Sequence, residues 1–179
     1  FTSDMAAVAG YLKLLKDADI PVLWRPFHEV AGKWFWWGKD AASHKAMWIA
    51  MFNYFKAQGL DNLIWVWTTE TGDDDWYPGD QYVDIIGRDI YSKDAETCAS
   101  QYAAISATYG NKIVALSECG TVGKISEQWV AGACWSWFMP WYDGEGEDGS
   151  PIVHADEVWW KDAMEQSYVI TRDEVPSME

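Results

Sequence analysis

The segment Ile20-Pro21-Val22-Leu23-Trp24-Arg25-Pro26-Phe27-His28-Glu29 sets an apolar run directly against a cluster of charge. A short apolar run of this kind reads as a buried strand, from Val22 to Phe27. Arg25, His28 and Glu29 then gather at its carboxyl end, where burying charge is costly unless the groups pair and work together. Beyond them come Gly32 and an aromatic run, Trp34-Phe35-Trp36-Trp37-Gly38. Charge at a strand mouth followed by flat aromatic faces points to an active site rather than to packing.

Outward from this segment, helix and strand patterns alternate. Val8, Leu12, Leu15 and Ala18 recur at three- and four-residue spacing, which predicts a helix over Met5 to Lys16 capped by Thr2-Ser3-Asp4. Met47, Trp48, Met51, Phe52 and Phe55 give a second apolar face, on a helix from about Ala42 to Gln58 that Gly59 ends. The strand Asn62 to Thr69 follows. The loop Glu70 to Asp80 is broken by Gly and Pro and too short for a full crossover helix. Then come a strand from Val83 to Tyr91 and a helix from its N-cap Asp94 to Tyr109, closed by Gly110. Strand Lys112 to Ser117, a short helix near Ile125 to Gln128, strand Gly132 to Phe138 and a helix over about Asp156 to Ser167 complete the pattern.

Apolar strands alternating with helices imply a parallel sheet with helices outside it. The conspicuous polar groups fall at strand carboxyl ends: His28 and Glu29, Thr68 and Thr69, Asp89 and Tyr91, Ser117 and Glu118, with Trp137 beside them. That is the functional face of a (β/α)8 TIM barrel. A doubly wound sheet would carry a glycine-rich phosphate loop after a strand, and none is present. The sequence therefore predicts one α/β domain over residues 1–179, an incomplete barrel of about five strands.

Composition narrows the chemistry. Asp and Glu number 28 against 13 Lys and Arg, a formal charge of −15, which repels nucleic acid and anionic membranes. No run of eighteen apolar residues could span a membrane. Fourteen Trp in 179 residues suit the C–H faces of sugars, although roughly half are expected in the core. Cys98, Cys119 and Cys134 show no CxxC spacing, so neither a zinc site nor a disulfide scaffold is indicated, and a Cys119–Cys134 bridge has little support. The three His are scattered, and no metal or cofactor is expected. Asp73-Asp74-Asp75 and Glu145 to Asp148 lack the alternating ligands of a calcium loop and read as solvated acids.

Glycoside hydrolysis needs one carboxyl to protonate the leaving oxygen and another to act as nucleophile or base. Glu29, beside Arg25 and His28, and Glu118, between Ser117 and Cys119-Gly120, are the two Glu at strand ends with local polar support. In a retaining enzyme the two carboxyls lie about 5–5.5 Å apart. A Trp-rich, non-catalytic sugar-binding module is the rival from another class. Such modules are mostly β-sandwiches, against which the helix–strand alternation counts.

Arg25 to Glu29 with Gly32 and Trp34 to Gly38, then YPGDQYVDIIGRDIY over 77–91, ALSECG over 115–120 and WSWFMPW over 135–141, together resemble the signature of glycoside hydrolase family 26. The similarity is chiefly to its β-mannanases and runs from about Ile20 to Trp141. It implies a retaining barrel enzyme that cleaves internal β-1,4-mannosidic bonds of mannan or manno-oligosaccharides. On this resemblance Glu29 is the acid/base at the end of the fourth barrel strand and Glu118 the nucleophile at the end of the seventh. Arg25 and His28 flank the acid/base, Trp34 and Trp37 line the sugar track, Tyr91 hydrogen-bonds near the nucleophile, and Trp137 floors the −1 subsite. β-1,3:1,4-Glucanases and β-1,3-xylanases of the same family remain as alternatives. The resemblance also implies that strands one to three lie in another segment or chain. An extracellular, periplasmic or cell-surface location is expected from the polymeric substrate, with no signal peptide visible.

Overall fold

A computed structural model describes residues 1–176. Five strands, β1 (Val22–Trp24), β2 (Leu63–Thr69), β3 (Ile85–Tyr91), β4 (Ile113–Gly120) and β5 (Phe138–Pro140), pair in parallel and in chain order. Helix α1 (Thr2–Asp17) precedes β1, α2 (Ala41–Ala57) follows it, α3 (Ala95–Thr108) follows β3, and α4 (Ile125–Val130) follows β4. Between β2 and β3 there are only two 3-10 turns, Asp74–Trp76 and Asp80–Tyr82, as the broken loop predicts. A small antiparallel pair, β6 (Gly144–Glu145) and β7 (Pro151–Ile152), leads into α5 (Glu157–Met164). Unidirectional strands in sequential order with helices between them make an incomplete (β/α)8 barrel.

Alternation along the strands sorts side chains into two layers. Trp65 and Trp67 of β2, Ile86 of β3 and Val114 of β4 pack outward with Met5, Leu12, Trp48 and Phe55 of the helices. Ile90, Leu116 and Cys119 join Cys98, Ile125 and Trp159 in a second outer cluster. Val66, Ile85 and Ala115 form the inner apolar layer, with Ile64 and Trp137 against it. Caps fall where the side chains can accept: Asp40, Asp94 and Asp156 take the backbone N–H of Ser43, Thr97 and Trp159.

Several boundaries differ from the sequence expectation. β1 stops at Trp24, because Pro26 has no N–H to give a ladder and Phe27 and Glu29 adopt left-handed backbone, φ 52° each. β4 continues to Gly120, so Glu118 lies within the strand rather than beyond it. Residues 132–137 are not a strand; Gly132 turns at φ 104°, and β5 begins only at Phe138. Helix α1 starts at Thr2 with Phe1 as its cap, so Thr2-Ser3-Asp4 lie inside it. Cys119 is buried and Cys134 exposed, and both are free thiols, which removes the bridge between them. Asp73 is buried rather than solvated, accepting from the Thr69 hydroxyl at 2.6 Å and the Glu70 N–H at 2.9 Å. Four of the fourteen Trp (Trp48, Trp65, Trp67 and Trp159) are buried, fewer than half, which leaves more aromatic surface for a ligand.

Candidate active site

A β-bulge builds one side of the site. β3 and β4 pair Gly87 with Ala115 but Asp89 with Glu118, so β4 holds one more residue over that interval. The β4–β5 pairing shows the same excess between Leu116 and Cys119. An extra residue re-aims the side chains beside it, and here consecutive residues both serve the inner face. Ser117 Oγ donates to Asp89 Oδ1 at 2.7 Å, while Glu118 reaches Arg25 and Tyr91. Gly87 is required at this point, since a Cβ there would lie 2.4 Å from Ser117 Oγ.

Arg25, just past β1, spans the sheet. Its Nη2 donates to Glu118 Oε2 at 2.8 Å, and its Nη1 donates to Asp89 Oδ2 at 2.9 Å and, more weakly, to Thr68 Oγ1 at 3.4 Å. The Tyr91 hydroxyl donates to the other Glu118 oxygen, Oε1. The side chains of Asp89 and Glu118 are 0% and 6% exposed, so one planar guanidinium serves two buried carboxyls. Burial opposes the charge on Arg25, but Asp89 and Glu118 outweigh it and raise its pKa. Burial pushes Asp89 up to about 6 against the pull of Arg25 and Ser117. Burial and its bond to Glu118 drive the Tyr91 phenol far upward, so that it stays a donor.

Glu29 sits apart, on the strained exit of β1, with left-handed backbone ahead of the 3-10 turn Val30–Gly32. Trp34 Nε1 donates to its Oε2 at 3.2 Å, and His28 Nε2 stands 4.0 Å from the same oxygen. Burial, then the charges of Asp89 and Glu118, raise Glu29 to about 7, with Trp34 pulling the other way. Burial and the neighbouring Arg25 lower His28, which keeps its ring neutral near neutral pH. Trp37 donates to the His28 carbonyl at 2.9 Å and stacks on Phe35, centroids 4.4 Å apart, so its edge clamps the loop. Trp34 and Trp36 present broad faces, 61% and 63% exposed. Trp137 packs in the inner apolar layer with Ala115 and Val66, two residues before Ser117 and Thr68 on their strands.

His28, Glu29 and Asp89 also offer ligand atoms within 4.8 Å of one another. The scattered His spacing gave no hint of this juxtaposition. Asp89 is also paired with Arg25, which it shares with Glu118. Asp89, Ser117 and Thr68 stood out in the sequence only as polar strand ends; the two-residue spacing of Asp89 and Tyr91, which sets both on one face, was the available signal. Backbone strain marks the same face. Phe27, Glu29, Lys33, Thr71, Ser92 and Thr121 have positive φ and all follow strand carboxyl ends; Asp19 alone of the non-glycine residues with positive φ lies elsewhere among the described residues. Strain of this kind, about 1–3 kcal/mol per residue, persists where a site over-determines the backbone.

Residues 1–174 match the family model described as Glycosyl hydrolase family 26. A mannan endo-1,4-beta-mannosidase of Thermothelomyces thermophilus is 36% identical over 178 residues, which are 96% of this chain and 35% of that protein. Mannan endo-1,4-beta-mannosidase B of Piromyces sp is 35% identical over 97% of this chain and 30% of its own length. Among solved structures, the GH26 domain of an endo-beta-mannanase/endo-beta-glucanase from Prevotella bryantii superposes with a TM-score of 0.87 at 43% identity, covering 97% of this chain and 57% of that one. A beta-mannanase from a symbiotic protist of the termite Reticulitermes speratus, complexed with gluco-manno-oligosaccharide, gives 0.85 at 44% identity over 98% and 54%. The chain thus spans about a third of the length of the curated relatives.

Proposed function

The chain belongs to glycosyl hydrolase family 26, and from that premise we propose that it carries both catalytic carboxyls of a retaining, endo-acting hydrolase of β-1,4-mannosidic bonds. The observation that supports this most is the contrast between the two Glu. Glu29 is raised to about 7 and so carries a proton near neutral pH, as a general acid must. Glu118 has both oxygens occupied as acceptors, by Arg25 and Tyr91, which fixes its orientation as a nucleophile requires.

In this reading Glu29 gives its proton to the glycosidic oxygen as a Glu118 oxygen attacks the anomeric carbon and the C–O bond to the leaving sugar breaks. Glu29, now ionised, takes a proton from a water whose oxygen attacks the same carbon and releases Glu118. Forming the ester removes the Glu118 charge that helps to raise Glu29, which lowers the Glu29 pKa when it must act as a base. Trp34, with Trp36 beside it, gives the polymer flat faces, and His28 and Trp37 hold the loop that carries Glu29. Further strands pairing with β1 and β5 would close the barrel, and mannan, galactomannan or glucomannan would be met outside the cell.

The test is hydrolysis by the naturally expressed protein, with reducing ends released from mannan compared with lichenan, followed by proton NMR of the first product. We expect mannan to be preferred and the β-anomer to form first. Faster cleavage of lichenan would move the substrate to mixed-linkage glucan, and initial α-product would exclude retention.

A further inference from the structure

His154 lies between β7 and α5, against the carboxyl ends of β3 and β4. Its backbone is fixed on both sides: the N–H donates to Asp143 Oδ1 at 2.9 Å, and the carbonyl accepts from the Thr121 N–H at 2.7 Å. Its ring meets the Tyr91 ring at 73°, centroids 5.4 Å apart, in the edge-to-face arrangement that aromatic pairs favour. Gly120 makes room for both, since a Cβ there would fall 2.2 Å from His154 Nδ1 and 2.7 Å from the Tyr91 ring. Ser92 and Thr121, the residues on either side of this contact, hold left-handed backbone at φ 53° and 51°, and the Ser92 N–H donates to the Gly120 carbonyl. His154 Nδ1 is buried with no hydrogen-bond partner, so the ring stays in place at a cost to stability.

A cost borne beside the group that holds Glu118 calls for a use. We infer that His154 is a positioning residue, whose ring walls Tyr91 so that the phenol stays on Glu118 Oε1 through the reaction. This rests on the proposed mechanism, in which Glu118 is the nucleophile. Tyr91 has a second consequence for attack: an undirected phenol would leave Oε1 free to rotate, and small misplacement of a reacting group costs much rate.

The experiment measures kcat and KM of the naturally expressed protein on mannan and on a 2,4-dinitrophenyl β-mannobioside. The activated phenol leaves with little help from an acid, so the burst rate of phenolate release, which reports the first step alone, tests the nucleophile, whereas kcat also carries the second step, in which Glu29 is the base. His154→Ala should lower kcat on mannan and the phenolate burst rate on the activated substrate by roughly 10- to 100-fold, with little change in KM. His154→Phe, which restores an aromatic edge without ring nitrogens, should recover most of the loss, whereas His154→Leu should not. Full activity of the Ala or Leu variant overturns the inference. So does a loss confined to mannan, which would act through Glu29, or a loss in KM alone, which would mean sugar contact. If the Ala variant does not fold, the Phe and Leu variants carry the test. A wild-type protein inactive on both substrates would instead overturn the proposed function.

Discussion

The exit of β1 and the end of β4 both present a glutamate to the same mouth, by opposite means. Glu29 stands on a left-handed loop residue, with one indole donor and a ring nitrogen 4.0 Å away. Glu118 stands within a strand, turned inward by a bulge, with both oxygens hydrogen-bonded and its side chain 6% exposed. A carboxyl that must exchange protons profits from few hydrogen bonds and a raised pKa; one that must form a bond profits from fixed direction. The largest effect should follow from changing each in turn. Glu118→Gln should abolish turnover on mannan and on a dinitrophenyl mannoside alike. Glu29→Gln should cost about 10²–10⁴-fold on mannan while sparing the first step on the dinitrophenyl substrate, seen as a burst of phenolate. Equal behaviour of the two variants would break the comparison.

Arg25 ties the two ends together, because it leaves β1 on the loop of Glu29 and ends on Glu118. Arg25→Ala would strand Asp89 and Glu118 as buried carboxyls without their cation, at about 3–5 kcal/mol by denaturant melts. Arg25→Lys should recover little, because a single ammonium cannot reproduce the forked reach to both partners. A Lys variant of wild-type stability would show that charge alone, rather than the fork, holds the site.

The two ends were also unequally legible in sequence. The β1 segment carries its signal within ten consecutive residues: apolar run, charge cluster, Trp run. Its strained backbone could not be read, because nothing in the letters Phe27 and Glu29 demands positive φ. At β4 the motif flagged Glu118, but the strand was expected to end at Ser117. A bulge is a relation between two strands, and it appears only when Gly87, Asp89 and their partners are registered together. The same limit hid Arg25's span of the sheet, which joins residues 64 and 93 positions apart. Trp135 to Phe138 alternates like a strand, which suggests one over 132–137, yet β5 begins at Phe138 and before it the backbone bonds to β4 only through the Ser136 N–H and the Trp137 carbonyl.

Proton affinity gives the smaller tests. With Glu29 raised from an ordinary 4.5 to about 7, kcat/KM on mannan should fall as pH rises through about 7, where the free acid ionises. The stability sign runs the same way. Between 4.5 and 7 the folded chain binds this proton more tightly than the unfolded chain, so Glu29's contribution to stability declines as pH rises across that window. His44 acts oppositely. It is fully buried with both ring nitrogens unpartnered, and burial lowers it to about 4, so its contribution is lost as pH falls from 6.5 towards 4.

Trp34→Phe isolates the smallest effect. The outer edge of its six-membered ring lies over Gly32, where a Cβ would come within 2.0 Å of it; a phenyl ring gives up that edge but keeps a flat face for sugar. What disappears is the indole donor to Glu29 Oε2, which favours the carboxylate. Its loss should raise the Glu29 pKa further and move the alkaline limb of kcat/KM to higher pH, with the plateau little changed. The same substitution should leave Glu118 untouched, so the burst rate of phenolate release from the dinitrophenyl substrate should keep its value. A limb that moves to lower pH, or does not move, would mean that a group other than Glu29 sets it, and the division of labour between the two strand ends would have to be redrawn.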